Sequence, residues 1–404
     1  MTDTRQWPVV SLLGCTQTLA WASTFYLPAL LAVPLARDLG LSIPTVFAAF
    51  SVALVVSAGL GPYAGRSIDR FGGRPVLVAT NVVFAVGLAL LSRVQGPWGL
   101  FGAWLVLGVG MGSGLYEAAF AALVRLYGAQ ARNAITGITL IAGFASTVGW
   151  PLTIWFEQSW GWRGACLGWA GLHIVLGLPL NLLLPAARSA SGESTSGPAP
   201  AGPGGGAQGC APHARPPRAT AVLLAIVFAV TAFVSTAMAA HLPRLMQISG
   251  TTMGAAVAAG ALVGPAQVAA RLLEFGVLRR MHPLLSARMA AVMHPLGAVA
   301  LALFGAPAAA VFAVLHGAGN GMLTITKGTL PLSLFGPQGY GQRQGVLMVP
   351  ARVAAAASPW LFGLCLDRFG PGALAVSGAL GAVAFVALWA LQAPEAGVVG
   401  AGRA

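Results

Sequence analysis

Apolar stretches of bilayer-crossing length recur along almost the whole chain, each ended by a short polar or glycine-rich break. A helix needs about 20 apolar residues to cross the hydrocarbon core of a membrane. On that rule twelve spans are expected, over 9–35, 43–64, 75–93, 97–124, 134–156, 162–184, 220–243, 253–277, 286–304, 307–333, 344–366 and 371–392. Hydrophobic residues make up 57% of the 404 residues and charged residues 8%, more apolar surface than a water-soluble interior can hide. Backbone groups in a bilayer must be satisfied within the segment, so runs of this length read as helices. The fold class is therefore an all-α polytopic membrane protein. The first run lacks a small-residue cleavage site and reads as the first span rather than a leader.

Between the sixth and seventh spans, 185–219 is rich in Gly, Ser, Pro and Ala without hydrophobic period, the composition of a flexible linker. It separates an N-terminal six-helix bundle (1–184) from a C-terminal one (220–404). The halves echo one another in order. Leu27-Pro28-x-Leu30 recurs as Leu242-Pro243-x-Leu245, and Gly61-Pro62 as Gly264-Pro265. The Gly108-x-Gly110-x-Gly112 ladder recurs as Gly317-x-Gly319-x-Gly321, and Gly128, Gly137 and Pro151 as Gly336, Gly345 and Pro359. Two pseudo-symmetric bundles follow, as in duplicated membrane carriers.

The net charge of +13 would suggest nucleic acid in a soluble protein. Here the arginines stand singly or in small groups at span ends, which reads as topology, with no nucleic-acid partner. With both termini cytoplasmic, the inner loops hold twelve arginines, Arg66, Arg70, Arg74, Arg125 and Arg132 among them, and the outer loops five. Lys327 is the sole lysine beside 21 arginines, a bias of GC-rich bacterial genomes, and a bacterial inner membrane is the expected location. Cys15, Cys166, Cys210 and Cys365 lack metal-ligand spacing and read as free thiols. No nucleophile constellation, metal spacing or GxxxxGK[ST] loop occurs, so neither an enzyme, a cofactor nor direct nucleotide drive is expected.

Charges inside the spans cost several kcal/mol each on insertion scales, so each needs a partner, a wet cavity or a function. They are Glu117 in the fourth span, Arg271 and Glu274 in the eighth, Lys327 in the tenth and Arg352 in the eleventh. Arg271, Lys327 and Arg352 lie at one level, somewhat cytoplasmic of the middle, and together would make an anion site. A guanidinium suits it, because its planar fork matches a carboxylate and stays charged. Two alternatives stand beside this: Arg271 and Glu274, three apart on one face, neutralise each other, or Arg271 snorkels to the interface. Glu117 lies within two positions of the repeat equivalent of Lys327. The two would meet across the halves when the cytoplasmic side closes, and substrate or a proton would part them. The alternative is a static pair of Glu117 with Arg125, two turns on. Trp150-Pro151 is an expected kink, since proline removes a backbone bond.

The basic turn between the second and third spans reads GRSIDRFGGR. Gly65, Asp69, Arg70, Gly72 and Arg74 match the loop between helices 2 and 3 of the major facilitator superfamily, with Gly73 in place of one cation. The chain resembles that superfamily over its whole architecture. The resemblance implies alternating access to a central cavity lined by helices 1, 4, 7 and 10, hence by Gln17, Trp21, Tyr26, Tyr116, His316 and Asn320. His173 and His294 then fall on helices outside the cavity and belong to packing. It also implies that Asp69 faces the start of helix 11 in a clasp holding the outward-open state, with Arg70 and Arg74 engaging acids or lipid phosphates. The second half lacks this loop, and Trp104 stands where the family's drug/proton antiporters carry an arginine. Arg271 and Arg352 fall where the oxalate/formate antiporter and monocarboxylate porter branch places cations for substrate carboxylates. The expectation is a secondary transporter of a small organic anion, a carboxylate, driven by protons or exchange and working as a monomer among membrane lipids. The alternative is efflux of drugs or amphipathic metabolites.

Overall fold

The computed structural model describes residues 6–186 and 218–391. The body of the expected linker, 187–217, with Cys210, lies outside them. The described residues form helices joined by short turns, with no strand among them. Nine helical stretches among the described residues are long and apolar enough to cross a membrane. Pro97–Leu182 has 86 residues and Tyr340–Trp389 has 50, against the roughly 20 that one crossing takes. The first turns back after Tyr127 and again at Gly161, where φ of 69° suits only glycine. The second turns at Gly370–Gly372. Twelve crossings result.

The first span is α1 (Gln6–Ser23) and α2 (Leu27–Leu39), the second α3 (Ile43–Phe71), the third α4 (Gly73–Ser92). The fourth is α5 (Pro97–Gly114) with α6 (Tyr116–Tyr127). The fifth is α7 (Arg132–Ala142) with the start of α8 (Ala145–Leu172), and the sixth ends in α9 (Leu178–Leu182). In the second half, α10 (Arg218–Ile248) is followed by the eighth span, α11 (Met253–Ala261) with α12 (Val263–Gly276). Then come α13 (Pro283–Phe304), α14 (Ala309–Phe335), α15 (Tyr340–Phe369) and α16 (Ala373–Trp389).

Four spans are therefore broken in mid-course. The first breaks before Pro28, which has no N–H to give and sits at the start of α2, where none is needed. The fourth breaks at Leu115, extended at the end of the glycine ladder. Its freed Gly114 carbonyl accepts from Gln17 Nε2 at 2.7 Å. The fifth breaks at Gly143–Phe144 and the eighth at Leu262. Pro151 lies inside α8, seven residues beyond the break in its span.

Glycines set the packing identically in both halves. A Cβ on Gly108 or Gly112 would meet Ala53 O at 2.7 Å or Ser57 O at 3.1 Å on α3. On Gly317 or Gly321 it would meet Val263 O at 2.6 Å or Gln267 O at 2.5 Å, on the eighth span. Helices that gain nothing from expelling water associate by such close contact.

The halves meet chiefly on the face carrying the 65–74 loop, called here the loop face. α6 packs on α15, and α7 on α12 and α14, whereas the far-face segments α5, α8 and α11 pack within their own halves. Only α3 and α15 follow each other further, to Ser51 Oγ donating to Ala356 O at 3.3 Å. The molecule is closed at the loop face and parted toward the far face.

Candidate functional site

Two interfaces close the loop face. In one, Gly61 and Gly65 of α3 lie against Gly345 and Gly341 of α15, so closely that a Cβ on Gly345 would sit 2.5 Å from Gly61 O. Beside this crossing Asp69 accepts from the backbone N–H of Gly341 (2.9 Å) and Gln342 (2.8 Å). These are orphan donors at the start of α15, where the helix dipole favours a carboxylate. Arg70 lies over the Phe71 ring at 5.0 Å, and neither Arg70 nor Arg74 makes an ion pair among the described residues. Three turns along α15, Arg352 reaches into the N-terminal half, where Nη1 donates to Ser57 O and Nη2 to Glu117 Oε2 at 2.9 Å.

The other interface joins α7 to α12. Arg132 Nη2 pairs with Glu274 Oε1 at 3.3 Å and Nη1 donates to Met281 O at 2.7 Å. Arg271 Nη1 donates to Thr139 O (3.1 Å) in the last turn of α7, a carbonyl that also accepts from the Gly143 N–H (2.9 Å) and lies at the helix end where the dipole favours a cation. Its Nη2 reaches Gln267 Oε1 only at 3.5 Å, and its buried Nε has no partner. Glu274 is thus held by Arg132 and leaves Arg271 unneutralised, unlike the pairing that the eighth span's spacing suggests. Likewise Glu117 pairs with Arg352, not with Arg125 or Lys327.

Above these interfaces stands an aromatic wall. Trp21 lies 5.0 Å from Phe25, 6.2 Å from Tyr26 and 4.9 Å from Tyr116, ring centre to ring centre. The charge of Arg271 is felt at both phenols, so Tyr26, Tyr116 and Arg271 share one region between the halves. Lys327, half-buried on α14, makes no ion pair among the described residues but feels the charge of Glu117. Its neighbour Gly328 packs on Phe120, one turn beyond Glu117, with 2.8 Å from a Cβ to the ring. Tyr340 Oη donates to Gly328 O and Gln344 Nε2 to Lys327 O, both at 2.8 Å. These two tie α14 to α15 and went unnoticed in the sequence. The region thus holds Arg271, Lys327 and Arg352 against one carboxylate, Glu117.

His316 and Asn320 are placed differently from the rest. His316 is buried, 3.0 Å from His294 Nδ1 to Nδ1, and both line a small cavity inside the C-terminal bundle with Asn320, Thr231 and Ser235. His173 lies between Ser23 Oγ (2.8 Å) and Asn81 Oδ1 (2.9 Å) within the N-terminal bundle. No group of three or more His, Cys, Asp or Glu among the described residues is arranged to hold a metal.

Residues 12–309 match the profile of the Major Facilitator Superfamily. A protein of Thermoproteus tenax described as an uncharacterized 38 kDa protein in the 23S RNA operon is 30% identical over 165 residues, 41% of this chain and 43% of that one. The multidrug resistance protein MdtH of Yersinia enterocolitica is 30% identical over 164 residues, 39% of each. The chain thus spans about two-fifths of the length of the curated relatives it matches. Among solved structures, the proton:xylose symporter XylE superposes with a TM-score of 0.74 at 12% identity, covering 96% of both chains. The human organic anion transporter MFSD10 gives 0.70 at 15%, covering 95% of this chain and 99% of that one. FucP in its outward conformation gives 0.69 at 15%, covering 94% and 97%. At such identities the likeness is one of fold. With the family profile covering most of its length and the fold shared end to end, the chain belongs to the Major Facilitator Superfamily, a family of membrane transporters and not of enzymes.

Proposed function

We propose that this transporter carries a small organic anion, a carboxylate, by alternating access, with the far face open in the conformation described. The observation that carries the reading is the excess of positive charge between the halves. Among the described residues Arg271 keeps a buried, unpartnered Nε, Lys327 has no ion pair, and the Glu117 carboxylate is already held by Arg352. Unpaired cations at membrane depth mark ligand sites, and Tyr26 and Tyr116 offer hydroxyls and rings beside them. The cation pair on the eighth and eleventh spans supports the oxalate/formate and monocarboxylate branch, and the fold is shared with a human organic anion transporter. The loop face, rich in arginine, is read as cytoplasmic, with both termini on that side of a bacterial inner membrane. The two bundles act as the moving bodies, joined by the 185–219 segment, in a monomer driven by protons or exchange.

The test is thermal stabilisation of the purified protein by a panel of small carboxylates, repeated with Arg271→Gln and Arg352→Gln. A ligand at a hundredfold excess over its Kd stabilises by about 2.7 kcal/mol. Stabilisation by one anion class, absent in Arg271→Gln, is expected. A second reading, efflux of amphipathic molecules, draws on the wall of Trp21, Phe25, Tyr26 and Tyr116 and on the relative described as a multidrug resistance protein. Stabilisation by cationic or neutral amphipaths, with no response to any carboxylate, would overturn the first reading in favour of the second.

A further inference from the structure

The inference drawn here rests on the anion reading and concerns the sole lysine. We propose that Glu117 is a tethered competitor for the substrate's place on Arg352, and that Lys327 receives its carboxylate when an anion displaces it, so that binding takes up no proton. Glu117 Oε2 takes Arg352 Nη2 at 2.9 Å, one arm of the guanidinium, while Nη1 is held by Ser57 O. A buried carboxylate stripped of its cation either finds another cation or takes a proton. The first turn of α6 and the α14 segment bearing Lys327 face each other at one level, shown by Gly328 lying on Phe120. The ammonium there makes no ion pair among the described residues, interacts with the Glu117 charge, and is a flexible, compact cation.

The groups around Glu117 are few. Arg352 and Tyr340 come from α15, Lys327 from α14 and Tyr116 from its own helix. Arg125 ends α6, while Arg66, Asp69 and Arg70 on α3, Arg74 on α4 and Arg132 on α7 sit at the loop-face ends of their helices. The bookkeeping balances without a proton: the anion takes Arg352, and the Glu117 carboxylate passes to Lys327. With Lys327→Met the displaced carboxylate has no second cation, and one proton from solvent neutralises it for each anion bound.

Calorimetric titration with acetate, benzoate, malonate and succinate, in buffers of differing ionisation enthalpy between pH 6 and 8, counts the protons. Wild type and Lys327→Arg are expected to take up none and to bind independently of pH. Lys327→Met is expected to take up one proton per anion, its affinity falling about tenfold per pH unit on the alkaline side. Glu117→Gln is expected to bind about tenfold tighter, as a competing pair of about 1.4 kcal/mol is removed. It also serves should Lys327→Met fail to fold. Proton uptake by wild type, unchanged stoichiometry in Lys327→Met, or unchanged affinity in Glu117→Gln would each overturn the hand-over while leaving the anion reading standing. Binding of none of the four probes to wild type would overturn both.

Discussion

Replacing Gly345 with valine should release the loop face. A Cβ on Gly345 would lie 2.5 Å from Gly61 O and 2.6 Å from Pro62 Cα, where ordinary contact begins near 3.4 Å. The neighbours are backbone atoms of a long helix and cannot turn aside as a side chain would, so α3 and α15 must move apart by about an ångström. Overpacking of this kind costs about 1–3 kcal/mol. The cost falls on the conformation in which these helices cross and is relieved when the loop face opens, so it changes the ratio of the two states by about 5- to 150-fold. Gly345→Ala places the same Cβ without the methyls and should shift the ratio less. Spin labels at Gln130 and Gln338, exposed in loop-face turns of opposite halves, would report a longer-distance population in the valine variant. A lowered Tm with an unchanged distance distribution would refute the reasoning, because the contact would then serve the bundle in both states.

Two further expectations follow from the other interface. Arg132→Gln strands Glu274, 3% exposed, and should cost about 3–5 kcal/mol in thermal unfolding, with Arg132→Gln/Glu274→Gln recovering much of it. A double variant no more stable than the single one would show that Arg132 acts through its bonds to Leu278 O and Met281 O instead. His282, in the turn before α13, caps Leu284 N through Nδ1, and partial burial with the charges of Arg132 and Arg288 holds its ring below the ordinary value of 6.5. The unfolded chain therefore binds the proton first, and stability is lost as pH falls below about 6.5. Since the ring is largely exposed the loss should be small, and it should disappear in His282→Asn, as read by Tm between pH 7 and 5.5.

Spans, turns and the glycine ladders were legible because each is a local pattern: hydropathy over a window, or small residues at helical spacing. The breaks at Leu115, Phe144 and Leu262 were not, for no proline marks them. The one conspicuous proline of the fifth span, Pro151, is carried inside α8. Pairing of charges was illegible for a different reason. Spacing along a helix proposes Arg125 for Glu117 and Arg271 for Glu274, yet the partners stand 235 and 142 residues away. Those partners are chosen by which helices cross between the halves. His316 illustrates the same limit, since membership of a cavity-lining helix does not say which way its ring turns; it turns toward His294.

The breaks also explain how the centre keeps its charge imbalance. Glu117 sits in the first turn of α6 and Arg271 donates to the last turn of α7, so each charge meets the end of a broken helix whose dipole favours it. A cation stabilised by backbone carbonyls does not need a carboxylate, which is why Arg271 can stay buried with an N–H to spare. Thr139 O serves two donors there, the Gly143 N–H at 2.9 Å and Arg271 Nη1 at 3.1 Å, so the end of α7 holds the guanidinium without giving up its own helical bond. Two neighbouring arginines at this interface are thus held in different ways: Arg132 by the Glu274 carboxylate across the halves, and Arg271 by the end of α7.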